Sequence, residues 1–216
     1  MAGFVIIIIL ISAALYFFVF FKKEPPEYFF QVDLPEEKRQ ELNDRKNKNF
    51  EALELFPNNY NVYMDLGNIE RTLGNASKAI EYFKKAWEII PTNSTPWLNI
   101  GNVYIRLGMY QEAEQAFLKG IEVNSSYYFT YYNLAKLYRD YFPGKDEAIN
   151  KIYLEGLQKT GNDYQLLQFY SDYLVEKQNY SEALKYLNLL YDKVPAENRN
   201  QVAERIKYVT ELNQNK

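Results

Sequence analysis

Tyr63-x-x-Leu66-Gly67, followed twelve residues later by Ala79-x-x-x-Phe83-x-x-Ala86, returns 34 residues on as Trp97-x-x-Ile100-Gly101 and Ala113-x-x-x-Phe117-x-x-Gly120. Working outward, Tyr131-x-x-Leu134-Ala135 and Leu167-x-x-Tyr170-Ser171 continue the first half of the block. Ala148 and Ala183-x-x-x-Leu187 continue the second half at steps of 35. Pro57 and Pro91 share one phase, and Pro195 holds it in the last unit. A fixed period of this length marks a repeat architecture, in which each unit buries its apolar faces only by stacking on its neighbours. Within each unit the apolar residues recur at helical spacing, which predicts two helices, A and B, per unit. The small residues at 67, 101, 135 and 171 stand where helix A approaches helix B closely. Ala79, Ala113, Ala148 and Ala183 do the same from helix B, and Phe83 and Phe117 fill the space between units. Gly74 and Gly108 fit left-handed C-terminal caps at the A–B turns. Ser77, Ser94 and Ser181 occupy positions suited to N-caps.

These blocks resemble the tetratricopeptide repeat family, whose pattern is a Trp and Leu-Gly on helix A with Ala, Phe, Ala and Pro on helix B. The resemblance implies an all-α, right-handed superhelical solenoid. Repeats are expected at 60–93, 94–127, 128–163 and 164–197. The third carries an insertion around Tyr141-Phe142-Pro143-Gly144, which puts Ile152 and Gly156 out of phase. The first has Glu70 where the family usually has Tyr. A helix over 36–57, ending Leu55-Phe56-Pro57, reads as an orphan helix B that caps the stack. At 198–213, Val202, Ile206, Val209 and Leu212 form one apolar stripe on a solvating C-terminal helix.

The N-terminus is of another kind. Residues 3–21 run 19 positions without a charge, and a helix of that length nearly matches a hydrocarbon core of about 30 Å. Met1-Ala2 carries no positive charge, no small-residue cleavage pattern follows, and Tyr16, Phe17, Phe18, Phe20 and Phe21 crowd the end of the run. An uncleaved transmembrane helix is therefore expected rather than a signal peptide. Lys22 and Lys23 follow it, so the positive-inside tendency places the array in the cytoplasm of a single-pass membrane protein. Residues 22–35 hold Pro25, Pro26 and Pro35, and are expected to run extended off the membrane as a linker. Four Asn-x-Ser/Thr sequons, at Asn75, Asn93, Asn124 and Asn179, fit either a glycosylated lumenal face or turn and cap chemistry.

Composition narrows the function. The 216 residues contain no His and no Cys, which removes the commonest general base, the commonest metal ligand and any thiolate chemistry. A net charge of −3 argues against nucleic acid as a partner. No phosphate loop, dinucleotide fingerprint, nucleophile elbow or EF-hand loop occurs, so neither an enzyme, a cofactor nor a small-molecule substrate is expected. Most of the 21 tyrosines fall at helical spacing and read as packing residues.

What remains is a surface. In the family that these repeats resemble, helix A lines a concave groove that holds a peptide or a partner helix. Carried onto this sequence, that lining comprises Asn68 and Arg71; Asn99, Asn102 and Arg106; and Phe129, Tyr132, Asn133, Lys136 and Arg139. Gln165, Gln168, Asp172 and Glu176 continue it in the fourth repeat. A chaperone-type carboxylate clamp is not expected, since only Asn68 and Asn99 match it and Met64, Phe129 and Asn133 replace its cations. The asparagines resemble instead the ladder in the repeats of O-linked N-acetylglucosamine transferases, whose amides bond a peptide backbone. The cations make repeats 1–3 basic and Asp172 and Glu176 make repeat 4 acidic, orienting a segment with its acidic part toward repeats 1–3. The expectation is a membrane-anchored scaffold for protein–protein interaction. The alternative is an accessory subunit of a secretion, translocation or envelope-assembly complex engaged partly through the membrane span.

Overall fold

A computed structural model describes residues 27–215, so the apolar run at 3–21 lies outside the described residues. Among the described residues, no helix is long and apolar enough to cross a membrane. Ten α-helices follow one another: α1 Glu36–Leu55, α2 Tyr60–Leu73, α3 Ala76–Ile89, α4 Thr95–Arg106, α5 Tyr110–Val123, α6 Tyr128–Tyr141, α7 Asp146–Lys159, α8 Tyr164–Glu176, α9 Tyr180–Lys193 and α10 Arg199–Gln214. The pairs α2/α3, α4/α5, α6/α7 and α8/α9 are antiparallel hairpins stacked in chain order into an all-α solenoid, with α1 on one end and α10 on the other. Helices α4 and α6, and α6 and α8, touch as well. The first helices of the pairs therefore line one face. The solenoid has two rims, one formed by the turns within pairs and one by the turns between pairs.

The hairpins close because side chains are missing where rings must fit. A methyl group on Gly67 would lie 2.5 Å from the Phe83 ring, and one on Gly101 would lie 2.3 Å from Phe117. Both rings are fully buried, and Phe83 also packs against Ile100 and Val103 of the next pair. The expected phase of the third pair needs correction. Ala148 is only half-buried, whereas Ile149, Tyr153 and Gly156 are buried in the order that Ala113, Phe117 and Gly120 hold one pair earlier. The four-residue turn 142–145 slides α7 by one position, which brings Gly156 back into phase against Tyr131.

The turns within pairs reverse through left-handed residues: Gly74 at φ +92°, Gly108 at +71°, Gly144 at +78° and Gln178 at +58°. The expected serine caps are corrected. The side chains that cap helix N-termini are Asn59, on Asn61 and Val62, and Asp163, on Gln165 and Leu166. Ser94 sits at the start of α4 without such a bond, and the Ser77 hydroxyl instead accepts from the backbone N–H of Tyr28. Of the sequon asparagines, Asn75 donates to buried Glu70, while Asn93 and Asn124 accept backbone N–H bonds two residues on.

The segment before α1 departs most from expectation. Residues 28–34 are extended, but they lie on the first pair instead of leaving it. Exposure alternates strictly, with Tyr28, Phe30, Val32 and Leu34 turned inward and Phe29, Gln31 and Asp33 outward. Phe29 and Asn75 form an antiparallel bridge, with Phe30 N–H donating to Gly74 O at 3.0 Å and Ser77 N–H to Tyr28 O at 3.2 Å.

Candidate functional site

Five of the ten lining residues expected in the first three repeats meet on the inward face of the solenoid. Arg71 from α2, Asn102 and Arg106 from α4, and Asn133 and Lys136 from α6 surround a cleft of about 240 Å³, closed by Ile105, Leu137, Asp140 and Tyr141. The first helices of three successive pairs supply them because side chains separated by three or four residues share one helical face.

The two arginines are the unusual pair. The Arg71 guanidinium donates to Asn68 Oδ1 at 3.0 Å, and Arg106 donates to the backbone carbonyl of Arg71 at 3.3 Å. Among the described residues neither meets a carboxylate. Burial, and then the neighbouring Arg106, lower the pKa of Arg71, and burial lowers that of Arg106. Both guanidinium groups keep their charge at any physiological pH. Two like charges are thus held close together, partly desolvated and without a carboxylate, with Arg106 lying over the Phe30 ring.

The other expected cations are compensated. Lys136 pairs with Asp140, while Arg139 pairs with Asp140 at 2.9 Å and with Glu176 of the next repeat at 3.6 Å. Its hydrogen bond to Asp140 raises the Arg139 pKa. The basic zone expected to span three repeats therefore contracts to Arg71 and Arg106. The asparagines divide too. Asn133 donates to Phe129 O at 2.7 Å and Asn68 serves Arg71. Asn99 and Asn102 are half-buried and make no hydrogen bond within the described residues, so both amides are unspent.

Phe129 and Tyr132 lie apart from this cleft. They stack at 5.6 Å, and Tyr132 stacks on Phe169 at 3.9 Å, which makes an aromatic ladder across the third and fourth pairs. Phe169 was not among the expected residues; its place on the same turn of α8 as Gln168 was the available signal. A second cleft, of about 560 Å³, lies between α8 and α10. Gln168 and Asp172, expected to continue the groove, line this cleft together with Arg205 and Tyr208 of α10, and Arg205 pairs with Asp172 at 3.2 Å. Reading α10 only as a solvating cap hid that contribution. A further cleft, of about 620 Å³, opens on the outer side around Lys84, Trp97 and Gln115. Among the described residues no three carboxylates are placed to hold a metal ion.

Residues 60–93 and 95–127 match sequence profiles of the tetratricopeptide repeat. No curated protein matches the chain in sequence. Among solved structures the fold is similar to pilF of Pseudomonas aeruginosa, with a TM-score of 0.54, 19% identity, and 82% of this chain and 80% of that one covered. It is similar also to TTC0263, a thermophilic TPR protein of Thermus thermophilus, at TM-score 0.54 and 14% identity over 76% and 88% of the two chains. MamA gives a TM-score of 0.52 at 22% identity over 76% and 96%. At these identities the likeness is one of fold, and none of the matching profiles belongs to a catalytic family. The chain carries tetratricopeptide repeats at 60–93 and 95–127, built into an all-α solenoid of the same helix-pair design, an architecture suited to holding other proteins.

Proposed function

We propose that this chain is a membrane-anchored scaffold whose inward face binds an acidic, extended segment of a partner protein. The observation that carries the reading is the Arg71–Arg106 pair, two guanidinium groups without a carboxylate beside the unspent amide of Asn102. A carboxylate side chain would supply the missing counter-charge through a fork of donors, and charge-assisted bonds of this kind are the strong ones. The Asn99 and Asn102 amides each offer a donor and an acceptor, so they can satisfy a peptide unit running in either direction. The aromatic ladder at Phe129, Tyr132 and Phe169 offers apolar contact to the same segment farther along. Anchoring rests on sequence: the uncharged run 3–21 has the length of a membrane span, and Lys22 and Lys23 favour a cytoplasmic array.

Partners captured by the full chain in mild detergent, identified by mass spectrometry, supply the segment for the test. Changing Asn99 and Asn102 together to Ala should weaken its binding by about 1–3 kcal/mol with little change in folding stability. Full affinity in the double variant, combined with loss of binding on reversing Lys84 and Lys119 of the outer cleft, would move the site to the other face. Protease digestion of intact cells checks the orientation, since an array cleaved from outside is not cytoplasmic.

A further inference from the structure

The extended segment 28–34 is held to one place on the array by several independent contacts. Tyr28 N–H donates to the Ser77 hydroxyl at 2.7 Å, and two backbone bonds pair Tyr28 and Phe30 with Ser77 and Gly74. Tyr28 and Phe30 pack on the cluster that contains Ala76, Phe83 and Val103. The Arg106 guanidinium lies over the Phe30 ring at 3.7 Å, within cation–π range. The turn beneath is shaped for this. At Gly74 a methyl group would meet the Phe30 carbonyl oxygen at 2.5 Å, whereas at Gly108, the same position one repeat later, nothing lies within 4 Å. One turn is covered and the other is bare.

This segment begins seven residues after Phe21, the end of the apolar run, and seven residue steps reach at most about 25 Å. Pro25 and Pro26 stiffen that stretch. We infer that residues 28–34 are a strap that fixes the array side-on to a lipid bilayer, with the within-pair turn of the first repeat facing the membrane surface. The inference rests on the proposal that residues 3–21 enter the bilayer. A flexible linker would let the solenoid tumble about its anchor. A strap bonded to the 74–77 turn instead gives the solenoid a near rim and a far rim, and leaves the inward face opening along the membrane, where segments of other membrane-bound chains reach it. Helix α3 is the ruler between the rims, since its 14 residues span about 20 Å.

The chain has no cysteine, so a single introduced one reports alone. Full-length Lys78→Cys and Thr92→Cys variants, at opposite ends of the first repeat, are labelled with a fluorophore and reconstituted in phosphatidylcholine vesicles carrying a headgroup quencher. The label at 78 should be quenched severalfold more than the label at 92. Adding Gly74→Ala, which drives a methyl group into the Phe30 carbonyl, should abolish the difference. Gly108→Ala imposes similar left-handed strain without touching the strap and should preserve it. Phe30→Ala serves as a second strap variant if Gly74→Ala disturbs folding, judged by helical circular dichroism. Equal quenching at both rims in protein that floats with the vesicles overturns the strap and leaves the anchor standing. Protein that fails to float overturns both.

Discussion

At the N-terminal end of the solenoid, α1 buries only Leu42 and is held by charge: Arg45 and Asn49 converge on Asp65, and Lys46 reaches Glu70 at 3.3 Å. At the C-terminal end, α10 buries Val202 and Val209, with Ile206 packed beside them, and its ion pair from Arg205 to Asp172 is half exposed. Both helices close a stack of the same design, yet one docks through paired charges and the other through an apolar stripe. The cause lies in the repeats that they cover. The first repeat has Glu70, 1% exposed, where the family usually has Tyr, and a buried carboxylate needs a cation from whatever helix caps it. The fourth repeat presents Leu187, Leu190 and Val194 to its cap and needs only apolar cover.

The largest effect should come from breaking the charged end. Lys46→Ala leaves the Glu70 carboxylate buried with only Asn75 as donor, and removing one partner of a buried pair costs about 3–5 kcal/mol. Lys46 keeps some solvent contact, which places the expected value near the lower bound. Because repeat arrays open locally, the loss should appear as faster hydrogen exchange in α1 and α2, with α8 to α10 unchanged. The double change Lys46→Met with Glu70→Leu should restore protection to about 1 kcal/mol of the starting chain, since well-packed apolar replacements of a buried pair are often neutral. If the double variant is as damaged as the single, α1 is not held by charge.

Next in size is the apolar end. Val209 is fully buried, and Val209→Ala removes two methyl groups from a packed site, a loss of about 2 kcal/mol. Exchange should quicken in α9 and α10 and stay unchanged in α1. A uniform change along the whole chain would show that the two ends unfold as one cooperative unit, which would remove the basis of the comparison.

How much of this could be read from the sequence depends on distance along the chain. The repeat period, the close approach of the paired helices at Gly67 and Gly101 and the left-handed turns at Gly74 and Gly108 are local or recur at 34 residues, and all were legible; that the Phe83 and Phe117 rings, expected between units, seat on those glycines within the pair was not. The place that Ile149 holds was given to Ala148 because the third pair adds two residues to the 34-residue period, and a step of 35 accounts for only one of them. The strap was missed although Tyr28, Phe30, Val32 and Leu34 alternate like a half-buried strand. The flanking prolines argued for a free linker, and only the three-dimensional position of Gly74 offers that strand an edge. At the candidate site, sequence supplied the residue types that meet around the cleft, including five that the structure brings together. It overlooked a pairing it could have seen, Lys136 with Asp140 at i,i+4, and one it could not, Arg139 with Glu176 of the next repeat. Pairing across repeats depends on how units stack, which the period alone does not give.

The smallest effect tests whether charge matters at the apolar end. Burial raises the pKa of Asp172, and Arg205 opposes that shift without overcoming it. A raised folded pKa means that the fold disfavours the ionised form. Stability from this group is therefore greatest below the unfolded value of about 3.9, falls as pH rises through the folded value, and stays at that lower level at neutral pH. The side chain is 50% exposed, so solvent screening limits the effect to roughly 0.5 kcal/mol or less. Asp172→Asn should accordingly leave exchange protection of α8 and α10 unchanged, or slightly raised, at pH 7, and should remove the small rise in protection seen on acidification toward pH 4. The difference between variant and starting chain at each pH isolates this group from the other carboxylates. A clear loss of protection at pH 7 in the Asn variant would mean that the Arg205 pair holds α10 in place, as Lys46 holds α1, and that both ends of the solenoid are closed by charge.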